Sequence, residues 1–232
     1  MKLITPLIAL LCLVPAAQAA TAWEGLVTLN VTGPGMLSQF VNYSTHNGIV
    51  RVDLLGGDNG SRLVDSVKKE VIIIAPEGKT YARLPFAPAP AIDPTAQVEK
   101  LALTDPIQGH PTSHYTVKAG GMRAEVWLAD DMPAEFWRLT DGALWGMALV
   151  GKNGLLLRAI IRDANGREIM RMNPETVRPM RQMAADFAPP PGAKEVAITA
   201  QAPVFSMPVP PAKIEDQVPA PRPPAPSNGR RR

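Results

Sequence analysis

Apolar side chains return at every second position over a series of short runs, and each run is cut by glycine, proline or asparagine. In Trp23-Glu24-Gly25-Leu26-Val27-Thr28-Leu29-Asn30-Val31, the residues Trp23, Val27, Leu29 and Val31 share one face, and Gly33-Pro34-Gly35 ends the run. Two further runs, Phe40 to Ser44 and Gly48 to Leu54, are joined at His46-Asn47-Gly48; in the second, Val50, Val52 and Leu54 oppose Arg51 and Asp53. A strand in an antiparallel sheet with one face on a core gives this alternation, so the chain is predicted to be mainly β.

The same punctuation continues downstream. Leu63-Val64-Asp65, Val71 to Ile74, Lys79 to Leu84, Ser113 to Lys118 and Arg123 to Leu128 read as strands. Leu155 to Arg162 and Arg167 to Met172 form a hairpin around Asn165-Gly166, a dipeptide suited to tight turns. Val71-Ile72-Ile73-Ile74 has no polar face and should be covered on both sides. Two stretches carry helix signals instead. Asp93-Pro94 would cap a short helix to Leu103, and Asp131 with Pro133 would start a second to about Leu149. In the second, Phe136, Leu139, Ala143, Leu144 and Met147 fall at helical spacing, while Trp137 and Trp145 lie off that face. A helix apolar on more than one side is buried or covers something, so core packing and a ligand-facing lid are both open readings.

The two ends differ from this body. Lys2, the apolar run Leu3 to Val14 and Ala17-Gln18-Ala19 have the layout of a secretory signal, expected to be cleaved after Ala19. The run is too short to span a bilayer. Its Cys12 follows Leu11, where a lipidated cysteine normally follows a small residue, so cleavage rather than an anchor is expected. Cys12 is the chain's only cysteine, so no disulfide staples the exported part and an apolar core must hold it. Residues 20–197 would form one domain, and residues 198–232 a disordered tail rich in proline that could reach on the order of 100 Å when extended. In the tail, Lys213, Arg222, Arg230, Arg231 and Arg232 outweigh Glu215 and Asp216 by three. With Lys2, they leave residues 20–197 at −1 out of a formal total of +3. A near-neutral body has no electrostatic footprint for nucleic acid. The arginine-ended tail could touch anionic envelope surfaces weakly, but a solvated, disordered end is the favoured reading.

No constellation for chemistry assembles. His110 and His114 flank Pro111 and lead into a strand, where positions four apart are separated by roughly 13 Å, too far for one ion. There is no Gly-x-Ser-x-Gly elbow, and Asp130 and Asp131, being adjacent, would face opposite ways. Met170, Met172, Met180 and Met183 could in principle ligate a soft metal, but methionine commonly fills irregular apolar space. The expectation is therefore a protein without catalytic activity, cofactor or metal.

Five stretches together resemble an uncharacterised bacterial periplasmic domain family of the LolA-like superfamily of lipoprotein carriers. They are Trp23-Glu24-Gly25-Leu26; Val71 to Leu84 with Pro76-Glu77-Gly78-Lys79-Thr80-Tyr81; Ile107-Gln108-Gly109-His110-Pro111-Thr112-Ser113-His114-Tyr115; Ala124-Glu125-Val126-Trp127-Leu128-Ala129-Asp130-Asp131; and Phe187-Ala188-Pro189-Pro190-Pro191-Gly192-Ala193-Lys194. Two positions depart from the family's pattern: Ala193 stands where an aromatic is usual, and Thr112 where a cysteine is frequent. The resemblance implies an antiparallel sheet curled into an incomplete, half-open barrel, with two or three helices on its concave side.

In the carriers that concavity holds acyl chains. By the same resemblance, this chain would be a monomeric periplasmic binding or carrier protein for an acyl chain, lipid or lipoprotein. The side chains expected to line its concavity are Val27, Leu29, Val50, Val52, Ile73 and Trp127, with Phe136, Trp137, Leu144, Trp145 and Met147 from the second helix. The alternative is a non-enzymatic envelope module, its barrel filled by its own side chains, that docks a protein partner.

Overall fold

The structure is a computed structural model, and it describes residues 23–55, 60–89, 91, 93–102, 105–139 and 143–197. The expected signal peptide (1–19) and proline-rich tail (198–232) lie outside the described residues. Twelve strands follow in chain order: β1 (Gly25–Thr32), β2 (Gln39–His46), β3 (Ile49–Leu55), β4 (Ser61–Asp65), β5 (Glu70–Ile74), β6 (Thr80–Pro85), β7 (Gln97–Lys100), β8 (Thr112–Ala119), β9 (Met122–Ala129), β10 (Leu155–Arg162), β11 (Glu168–Pro179) and β12 (Lys194–Glu195). One α-helix, α1 (Leu144–Met147), and two 3-10 turns, Phe136–Leu139 and Ala184–Phe187, complete the described elements.

All twelve strands belong to one open, curled sheet in the order β12-β6-β5-β4-β3-β2-β1-β11-β10-β9-β8-β7. Every neighbouring pair is antiparallel except β12 with β6. Short hairpins build most of it. At the β2–β3 turn, Asn47 and Gly48 both take positive φ (47° and 79°), the backbone a two-residue hairpin turn requires. The Asn165-Gly166 hairpin forms as expected, with the Asp163 carboxylate accepting the N–H groups of Asn165 and Arg167.

The alternation read in the sequence decides which face is inside. Val27, Leu29 and Val31 are fully buried, and their cross-strand partners Tyr43 and Val41 lie on the same face. Val126, Leu128, Ala159 and Met172 continue this inner face, and Met132, Phe136, Leu139, Trp145 and Leu149 pack into it from the segment that follows β9. Val71 belongs to this main cluster, whereas Ile72 and Ile74 form a second one with Leu63 on the opposite face. The isoleucine-rich strand is thus covered on both sides, as expected, with Ile73 alone of its apolar residues half-buried.

After β11 the chain crosses the outer side of the first half-sheet. Met180 N–H donates to the Glu24 carbonyl, the Phe187 ring lies 5.3 Å from that of His46, and Arg51 Nη1 donates to the Asp186 carbonyl at 2.7 Å. Lys194 and Val196 N–H groups then bond to Lys79 and Tyr81 carbonyls, which adds β12 to the β6 edge.

The expected helices are where sequence and structure part. The helix from Asp93 to Leu103 does not form; its place is taken by a turn and by β7. The Asp93 carboxylate accepts both the N–H and the hydroxyl of Thr95, which holds a local turn in place of a helical one. Gln97 to Lys100 then pair with β8. The helix expected from Pro133 to Leu149 is reduced to the Phe136–Leu139 turn and the four residues of α1. Asp131 is no helix cap: its carboxylate meets His110 Nδ1 at 2.8 Å. Two or three helices on the concave side are therefore corrected to one short α-helix and two 3-10 turns among the described residues.

Candidate functional site

Most of the residues expected to line a ligand cavity are core. Val27, Leu29, Val50, Val52, Phe136 and Trp145 are each at most 7% exposed and belong to one contiguous cluster. Phe136 and Trp145 touch, with ring centroids 5.9 Å apart. Ile73, Trp137 and Met147 are half-buried. Leu144 is 43% exposed and lies over the β8–β9 turn, where a Cβ on Gly120 would stand 2.4 Å from Leu144 Cδ1. The Arg138 guanidinium sits 4.1 Å from the Trp137 ring and 3.8 Å from that of Phe86. The methionines divide: Met170 and Met172 are buried, Met180 and Met183 exposed.

Trp127 is placed on the other side of the sheet. Its neighbours Val126 and Leu128 are fully buried inside, so strand geometry turns Trp127 outward. There it stacks on His114, directly across the β8–β9 ladder, with centroids 3.9 Å apart and planes 16° from parallel. The Arg158 guanidinium lies 5.6 Å from the Trp127 ring.

These three side chains line a groove of about 510 Å³ together with Asp105, Pro106, Ile107, Gln108, Asn173 and Pro174. Its origin is a parting of two strands. β10 and β11 pair only from Ala159 opposite Met172 to Arg162 opposite Glu168, so Arg158 and Asn173 stand just beyond the last pair. Irregularities sit on both sides of the gap: the β9–β10 register shifts between Leu156 and Arg158, and the β1–β11 register shifts between Thr28 and Leu29, skipping Glu175 next to Pro174. Pro174 has no N–H to offer a neighbouring strand. The loop carrying Gln108 occupies the opening. The Gln108 side chain donates to the Pro174 carbonyl at 3.2 Å and accepts the Val177 N–H at 2.9 Å, the bonds a neighbouring strand would otherwise supply.

The groove's polar groups are incompletely satisfied. His114 Nε2 and Arg158 Nε are buried and meet no hydrogen-bond partner among the described residues, and Glu125 Oε2 stands 3.7 Å from His114 Nε2, beyond hydrogen-bond reach. Burial pushes the His114 pKa down, and the Glu125 charge opposes this in part. Glu125 is itself engaged by Arg162. A different buried pair sits on the inner face, where burial holds the Tyr43 phenol above its ordinary range and lowers Arg62 to about 10. No group of three metal-ligating side chains occurs among the described residues, and no described helix is long and apolar enough to cross a membrane. A second, shallower groove of about 350 Å³ runs beside the Gly120-Gly121 turn.

Sequence reasoning singles out Trp127 and His114, but misses Arg158, Asn173 and Gln108 as members of one site. The available signal is parity: Arg158 and Trp127 interrupt apolar runs at the outward positions of their strands.

No protein-family model matches the chain, and no curated protein matches it. Among solved structures, it is similar to an uncharacterized conserved protein from Thermus thermophilus, at 11% identity and a TM-score of 0.44 over 75% of this chain and 90% of that one. It is similar to the Pseudomonas aeruginosa MucA/MucB complex structure at 13% identity, with a TM-score of 0.45 over 75% of this chain and 58% of that one. A LolA superfamily protein from Nitrosomonas europaea is matched at 10% identity, with a TM-score of 0.30 over 73% of this chain and 91% of that one. The chain thus spans less than two thirds of the matched chain in the MucA/MucB complex.

Proposed function

We propose that this chain is an exported, non-enzymatic binding module of the bacterial cell envelope, of LolA-like type, that works by docking a protein partner. The observation that carries this reading is the burial of the concave face. Phe136, Leu139, Trp145 and Leu149 occupy it, and Val27, Leu29, Val50 and Val52, four of the strand residues expected to face a ligand, are buried in the same cluster. A side chain already close-packed on its own core offers little to an acyl chain unless the core opens. Of the residues expected to line the concavity from the segment after β9, Leu144 and half-buried Trp137 and Met147 stay accessible and are suited to a protein surface. The secretory signal pattern and the five-stretch resemblance support the envelope address.

A second reading keeps these same three residues as the entrance for an acyl chain, admitted when the short helical segment swings away. One experiment separates the two. The chain is purified from the periplasm without detergent, examined by native mass spectrometry, and titrated with a fluorescent fatty acid. Lipid-free protein without affinity for the probe supports partner docking; a co-purified acyl chain at stoichiometric level overturns it in favour of a carrier.

A further inference from the structure

The outer groove is a feature independent of whether the concave face opens. Its floor is a guanidinium with no carboxylate partner: among the described residues, the Arg158 side chain takes part in no ion pair or hydrogen bond, and only the Trp127 ring faces it. Two neighbouring arginines on this outer face are neutralised. Arg162 is bound to Glu125, and Arg171 to Glu168 by two hydrogen bonds. Beside Arg158, the Asn173 amide makes no side-chain hydrogen bond among the described residues, and His114 is 9% exposed with Nε2 unpartnered. An unpaired buried polar group is costly, and the two that line this cleft, Arg158 Nε and His114 Nε2, are what a polar ligand would satisfy.

We propose that the groove between the Gln108 loop and the parted ends of β10 and β11 binds a small organic monocarboxylate, held by Arg158 with Asn173 beside it and with His114 across the Trp127 ring.

The charge of the site selects one negative charge over two. Arg158 supplies a single cation, and burial pushes the pKa of His114, stacked on Trp127, down, which disfavours a second one. Asp105 at the exposed rim opposes a second negative charge. A guanidinium meets a carboxylate in a planar two-point fork, and the Trp127 edge and Pro106, Ile107 and Pro174 give the ligand's organic part an apolar lining. A groove of about 510 Å³ admits a molecule of metabolite size. The bonds from Gln108 to β11 hold the loop that closes the far wall, so the cleft is preformed.

The test is a calorimetric titration of the full chain with acetate, benzoate and N-acetylglycine, alongside inorganic phosphate and benzamide. We expect at least one monocarboxylate to bind below about 10 mM, benzamide to fail, and Arg158→Gln to weaken the carboxylate by roughly tenfold or more. Thermal melting checks that the variant folds. Should it not, the Arg158 Nε–H resonance in the unaltered protein gives a second readout, and it moves downfield when the carboxylate binds. Absence of binding by all three carboxylates overturns the proposal. So does phosphate binding as tightly as they do, an Arg158→Gln variant of unchanged affinity, or an Arg158 resonance that stays still.

Discussion

Adjacent residues on the same strands lead opposite lives in this sheet. On β9, Val126 and Leu128 are fully buried, and Trp127 between them faces outward onto His114. On β10, Ala159 is fully buried and Arg158 opens onto a groove. The inner side is filled by the chain's own aromatic and aliphatic groups. The outer side, where strands part, keeps polar groups that the fold leaves unmatched. An open, curled sheet can offer a groove away from its concave side, where backbone pairing between two strands fails.

The comparison breaks most sharply under truncation. Phe136→Ala removes a fully buried ring and should cost about 3–5 kcal/mol. Trp127→Ala, although it removes a larger ring, should cost only about 1–2 kcal/mol, from lost stacking and partial burial. Urea unfolding followed by circular dichroism measures both. Equal losses would mean that the outer face is as much core as the inner one.

A smaller effect is expected at the loop that props the groove. Gln108→Ala deletes two exposed hydrogen bonds to β11 and should cost about 1 kcal/mol. Its signature is local, with faster hydrogen exchange at the Val177 amide and unchanged exchange at Val126.

The smallest effect is a pH slope. Burial lowers the folded pKa of His114 from an ordinary 6.5. As pH falls below about 6.5, the unfolded chain takes up a proton on this ring that the folded protein does not yet bind. The contribution is therefore complete above that value and is lost as pH drops towards the folded pKa. Comparing urea midpoints at neutral and mildly acidic pH should show a shallower decline for His114→Gln than for the unaltered chain.

Much of the sheet is legible in the sequence because side-chain period is a direct consequence of strand geometry. Val27, Leu29 and Val31 alternate with other residues and are buried for that reason, and Asn47-Gly48 and Asn165-Gly166 make the turns their backbone freedom favours. The helices are misread where a local cap has more than one use. Asp93 satisfies Thr95 in a turn, and Asp131 is taken by His110, a contact between residues distant in sequence that no local pattern announces. The apolar spacing after Pro133 describes a buried segment correctly and its regularity wrongly. The resemblance places Trp127 in the concavity, although the parity of Val126 and Leu128 already turns it outward. The groove itself depends on where β10 stops pairing with β11, and its members come from the Gln108 loop, β8, β9, β10 and β11, so no linear stretch could reveal it.

The tryptophans allow both faces to be read at once. In protein labelled with 5-fluorotryptophan, Trp23, Trp127, Trp137 and Trp145 give separate fluorine resonances, assignable by single substitution. Benzoate is expected to move the Trp127 signal and leave buried Trp145 in place, and a fatty acid to leave Trp145 in place as well. A fatty acid that shifts Trp145, with Trp127 silent to every carboxylate, would contradict a filled concavity and an outer binding groove, and would return the binding site to the concave face.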